Sequence, residues 1–169
     1  TLEYMTMVVE PQLVEPEIDV TGAGFAAAVA SVRDCAAGLS SSVAMLPPAA
    51  AKTVLGALAA LREDIARVEV AVVAHFERLG APKLAGARST EAWLEAHAHK
   101  SGWAAKQTTK AVAASRSAVV RDALSRGDLA VEQAALLAPI VARVGDGRCP
   151  VEELAALVRA AAGQSVWHT

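Results

Sequence analysis

From residue 23 to residue 39 the apolar positions Phe25, Val29, Val32, Ala36 and Leu39 recur at intervals of 4, 3, 4 and 3, which is one stripe of a helix. Thr21 stands where it can cap that helix. The serines at 40–42 and Pro47-Pro48 break the pattern. Proline is tolerated in a first turn, so a second helix is expected over about 48–79, stopping at Gly80 and Pro82. Along it Val54, Leu58, Leu61, Ile65, Val68, Val72, His75 and Leu79 keep the same alternation through nearly four heptads. Such a repeat forms coiled-coil seams. About 32 residues at 1.5 Å each span about 48 Å, long for a chain of this size. Either the first helix folds back along the stripe, or the stripe pairs with another subunit. Packing within the chain is the expectation, and a homodimer through the long helix is the alternative. His75 is read as a packed seam residue rather than a ligand.

Beyond Leu79 the pattern predicts shorter elements. Residues 80–87, with Gly80, Pro82 and Gly86, read as a loop. Ser89 or Thr90 caps a helix over about 90–99, with Glu91 near its N-terminus and Trp93, Leu94 and Ala98 facing inward. A turn at Lys100-Ser101-Gly102 leads to a helix over about 103–114. A further helix ends at Arg126-Gly127, and another covers about 130–144 with Leu136, Leu137, Ile140 and Val141 as its apolar face. Pro139 should kink it. Pro150 opens a last helix ending near Gly163, with Glu152 and Glu153 in its first turn. Strand-type alternation is nearly absent. The fold is therefore read as all-α: a multi-helix bundle with one long helix and a helix-turn-helix-like segment at about 89–114. Residues 22–163 read as a single helical domain. An irregular acidic leader at 1–21 precedes it, and a tail or truncation point at 164–169 follows. The first residue is Thr rather than Met, as in a processed, trimmed or partial chain.

Composition explains how such a bundle packs. Hydrophobic residues make up 54% of the 169, but aromatics only 4%. Alanine, at 40 residues, makes the difference. It is the best helix former because it loses no side-chain entropy in a helix. Each alanine contact buries little area, so the core leans on a few large residues. Cys35 and Cys149 stand far apart with no CxxC motif, which fits a reducing cytoplasm. No apolar run approaches the roughly 20 residues of a membrane span. The N-terminus does not read as a signal peptide.

A net charge of −2 hides an uneven distribution. Residues 83–126 carry eight bases against three acids, framed by acidic ends. Nucleic-acid binding is one reading of a basic stretch, and a solvated helix surface is the other. In a helix-turn-helix reading of 89–114 the second helix contacts DNA. Lys106 and Lys110 are four apart and share a face, while Ala104, Thr108, Ala111 and Val112 pack on the opposite side. Gln107 and Thr109 flank the basic face. The candidate DNA-binding residues are Arg88, Lys100, Lys106, Gln107, Lys110, Arg116 and Arg121, with duplex DNA the expected partner. Trp93 and Trp103 are read as core anchors.

Catalytic patterns are missing. His97 and His99 are two apart and point to different sides of a helix, with no ligand pattern around them. There is no GxSxG, and the glycines at 22 and 24 lack a preceding strand. No catalytic residue, metal site or cofactor is assigned to this chain.

Two segments nevertheless resemble a known family. Gly86-Ala-Arg-Ser-Thr-Glu-Ala-Trp-Leu94 and Ser125-Arg-Gly-Asp-Leu-Ala-Val-Glu-Gln-Ala-Ala134, about 30 residues apart and behind a long helix, are similar to the actinobacterial 13E12-repeat family, also called domain of unknown function 222. The resemblance covers roughly residues 50–145. It implies a helical region that stands ahead of an HNH nuclease module in longer chains. An HNH module binds a divalent metal through histidines and activates water. Nothing here matches one, since His168 stands without partners. The resemblance thus implies a DNA-binding or DNA-positioning domain of an HNH-endonuclease-like protein without its catalytic part. The alternative is a non-enzymatic module that dimerises or docks a partner through residues 50–79.

Overall fold

A computed structural model of the chain describes residues 22–163, and every regular element among them is helical. The acidic leader, the cap expected at Thr21 and the tail at 164–169 lie outside the described residues. The helices are α1 (Gly22–Ser42), α2 (Pro48–Arg78), α3 (Ala81–Leu84), α4 (Thr90–His97), α5 (Gly102–Ala114), α6 (Ala118–Arg126), α7 (Val131–Gly145) and α8 (Val151–Gly163), with a 3-10 turn at Val43–Met45. None is long and apolar enough to cross a membrane. Two compact units divide at Ala51/Lys52, inside α2. In the first, the apolar stripe of α1 (Phe25, Val29, Val32 and Leu39) is exposed.

The second unit holds the core. Its most extensive helix–helix contact joins α5 to α7. The buried residues of these two helices include Ala105, Ala111, Ala114, Ala134 and Ala135, whose small side chains let helix axes come close. Large apolar residues fill the space around them: Leu94, Leu129, Leu154, Val112 and Val120 are fully buried. Of the α5 residues expected to pack, Thr108, Ala111 and Val112 are buried and Ala104 is half-buried. Thr108 satisfies its hydroxyl within the helix, donating to the Ala104 carbonyl at 3.1 Å.

The most regular apolar stripe of α2 is not the one that packs. Val70 and Val73 are buried, with Ala66 and Ala74 against the same core. The seam residues Leu58, Leu61, Ile65, Val68, Val72 and Leu79 are 39–62% exposed. In a helical projection they lie on the side opposite Val70. The expectation that the seam packs inside the chain is therefore not met within this unit. His75 is exposed too, with Nδ1 3.4 Å from the Arg78 guanidinium. Alanines and valines pack here because they allow close approach, and bulky leucines face outward.

Local chemistry sets most helix ends. The side chains of Ser89 and Ser101 accept from the N–H groups of Ala92 and Ala104, capping α4 and α5. Between them the left-handed residue is His99 (φ 52), not Gly102. Gly102 begins α5, where a Cβ would lie 3.2 Å from Glu95 Oε1. Gly127 (φ 78) closes α6, with the Asp128 N–H reaching back to the Ala123 carbonyl at 2.9 Å. The segment read as a loop at 80–87 contains α3. α7 runs on through Pro139. Of its expected apolar face Leu137 is buried and Ile140 and Val141 are half-buried, whereas Leu136 is 76% exposed.

These neighbouring leucines give a direct test. Leu137→Ala should cost about 2–5 kcal/mol in urea unfolding, the usual range for a core truncation. Leu136→Ala should stay within about 0.5 kcal/mol of the parent, as surface changes do. Equal losses would show that α7 presents a different face to the core.

Candidate functional site

Three glutamates on α2 hold the second unit's other elements. Glu63 accepts from the Val131 N–H at the start of α7, at 2.6 Å. Glu69 pairs with Lys100 at 2.9 Å. Glu77 accepts from the Thr90 hydroxyl at 2.8 Å through one oxygen and lies 3.6 Å from Arg116 through the other. These contacts decide what the predicted basic residues are free to do.

The seven candidates separate into groups. Lys100 is one-fifth exposed and committed to Glu69. Arg116 reaches Glu77 from the α5–α6 connection, and Arg121 on α6 lies 3.8 Å from Asp122. Arg88, Lys106 and Lys110 are exposed and make no ion pair among the described residues. Arg88 precedes the cap of α4. Gln107 is half-buried beside the lysines.

One outward face of α5 gathers Trp103, Lys106, Gln107 and Lys110. Residues three, four and seven positions apart fall within about 100° of each other around a helix. The opposite face carries Thr108, Ala111 and Val112 into the core. Trp103, expected in the core, is 65% exposed. Its spacing from the two lysines was the signal that it faces outward. Thr109 donates to Glu91 at 2.9 Å and ties α5 to the first turn of α4, which fixes how the lysines are presented. Trp93 does pack inward, with ring centroids 4.5 Å from Phe76 and 5.1 Å from His97.

Two grooves flank the packed side of α2. The first, about 850 Å³, runs between α2 and α5–α6. Arg67, Arg78, Arg116 and Arg121 line it over an apolar floor that includes Val70, Ala74 and Val112. Arg67 and Arg78 were not singled out by the sequence, since only folding sets them opposite α6. Arg67 and Arg116 pair with Asp64 and Glu77 of the same groove. The second groove, about 840 Å³, includes Lys100, Trp103 and Gln107 but also Glu63, Asp64, Glu69, Asp128 and Glu132. The first groove thus sets four arginines against two carboxylates, and the second sets Arg62, Arg67 and Lys100 against five carboxylates. Lys106 and Lys110, on the outer face of α5, line neither groove. No three of His, Cys, Asp and Glu gather as metal ligands do among the described residues.

The two segments that carry the family resemblance have packing roles. Ser89 caps α4, Thr90 bonds to Glu77, Trp93 packs at a tilt against Phe76 and Leu94 is buried. Gly127 ends α6 and Leu129 is fully buried. Gln133 accepts from the Ala130 N–H at 2.9 Å and donates to the Ala161 carbonyl at 3.1 Å, joining α7 to α8. No protein-family model, curated protein or solved structure matches the chain.

Apart from this site, Cys149 precedes α8 with its Sγ 3.3 Å from Glu153 Oε2. Partial burial pushes its thiol up from the usual range, and the hydrogen bond and charge of Glu153 push the same way, with Arg143 opposing. Less thiolate at neutral pH means slower alkylation. With Cys35→Ser as background, Glu153→Gln should shift the pH–rate curve for iodoacetamide downward and speed the reaction at pH 7.5. An unchanged curve would remove Glu153 from the explanation.

Proposed function

We propose that this chain is a helical DNA-positioning domain, of the kind that stands ahead of an HNH nuclease module in the 13E12-repeat family. The observation that carries the reading is the outer face of α5. Lys106 and Lys110 stand there without ion-pair partners, flanked by Gln107 and the exposed Trp103, on a helix whose other face is locked in the core. A rigid cationic helix face suits the phosphate backbone of duplex DNA, because bound phosphates release condensed counterions. The lysines act as phosphate contacts, Arg88 extends the contact, and Gln107 is the base-edge reader. Lys100, Arg116 and Arg121 join only by giving up their carboxylates. In this reading the protein works in the cytoplasm, and cleavage belongs to another part of a longer protein.

A second reading, a protein-docking module, is favoured by a different observation. The apolar stripe of α2 is exposed over six large residues, and contiguous exposed apolar surface marks interaction sites.

Fluorescence anisotropy with a labelled duplex over a salt series tests the first reading. Affinity should fall steeply as salt rises. In Lys106→Glu/Lys110→Glu it should drop at least tenfold, with the slope of log K against log salt shallower by about two. Both side chains are exposed, so thermal unfolding should not change. Binding that is unaffected by this double substitution would overturn the assignment.

A further inference from the structure

We infer that the exposed stripe of α2 is covered by a second copy of this chain, with the two α2 helices antiparallel and in full register. This rests on the reading of α2 as a docking face and is independent of DNA binding. The first support is symmetry in the spacing. The stripe at 54, 58, 61, 65, 68, 72, 75 and 79 runs 4, 3, 4, 3, 4, 3, 4, which reads the same in both directions. A two-fold axis between residues 66 and 67 therefore sets Val54 against Leu79 of the other copy, Leu58 against His75, Leu61 against Val72 and Ile65 against Val68. Every seam residue finds a partner, as a self-complementary two-fold interface requires. The overlap of 26 positions is about 39 Å of helix.

The second support is charge. Residues beside a seam pair across it and set orientation. In the antiparallel register Arg62 lies opposite Glu69 of the other copy, whose carboxylate also holds Lys100 of its own chain at 2.9 Å, and the two-fold axis repeats this contact. A parallel alignment instead sets Asp64 against Glu69, like against like, twice. His75 fits the same arrangement. It is an exposed, polar seam position that falls opposite Leu58 near each end, leaving the centre wholly aliphatic. The third support is access. The body of the second unit packs on the Val70 and Val73 side of α2, so it leaves the opposite side open to a neighbour.

Sedimentation equilibrium of the full chain tests this. The expected result is a monomer–dimer equilibrium, with dissociation at least a hundredfold weaker in Ile65→Glu/Val68→Glu. Cysteine cross-linking tests orientation in chains carrying Cys35→Ser and Cys149→Ser. A mixture of Leu61→Cys and Val72→Cys chains should give the mixed disulfide dimer. Neither chain alone should give its own. Dimers of Leu61→Cys alone would overturn the antiparallel register, and a dimer indifferent to the glutamate pair would overturn the interface. A strict monomer overturns the second copy, and thermal unfolding then separates two causes. Unchanged stability of Ile65→Glu/Val68→Glu leaves the docking face for a different partner. Clear destabilisation shows that the chain's own residues cover the stripe, which removes the docking reading as well.

Discussion

The close packing of α5 on α7 is the interaction on which the second unit depends. Alanines line both buried faces, and small side chains allow the helices to approach without forcing rotamers. Such contact buries little area per residue, so the leucines and valines that surround it supply most of the apolar burial. α4 packs on α5, and α8 packs on α6 and α7. A helix held so firmly on one side is a rigid support for whatever its other side carries. On α5 that is Trp103, Lys106, Gln107 and Lys110.

The long helix is joined to this core in another way. Its buried residues are few, and three carboxylates supplement them. Glu63 completes the start of α7, Glu69 fixes Lys100, and Glu77 joins α4 to Arg116. The same contacts sort the basic residues. Lys100 and Arg116 are paired with carboxylates of α2, while Lys106 and Lys110 on α5 are not. A basic stretch in the sequence thus becomes a narrower cationic face in three dimensions. The leucines of α2, excluded from the packed side, form an apolar stripe on the opposite one.

Helix type and position were legible along the described chain except at the short α3, because 3.6-residue spacing, prolines, glycines and serine caps act locally. Ser89, Ser101 and Gly127 do what such residues do almost anywhere. The shared face of Lys106 and Lys110 was legible for the same reason. Trp103 departs from the core preference of a large aromatic residue, and its spacing places it with the lysines. In the turn between α4 and α5 the left-handed position falls on His99, while Gly102 lies where a Cβ would crowd Glu95.

Periodicity identifies an apolar face but not what covers it, and this is where reading residues along the chain stops. The heptad stripe from Val54 to Leu79 is present as a pattern, but within the second unit it is not the packed face. Burial depends on which surfaces can come close together, and the small residues around Val70 and Val73 fit the body better than a row of leucines. Charge obeys the same division. Eight bases between 83 and 126 were countable in the linear chain. Only folding brought Glu69 to Lys100 and Glu77 to Arg116, because a carboxylate must be within a few ångströms to compensate a cation.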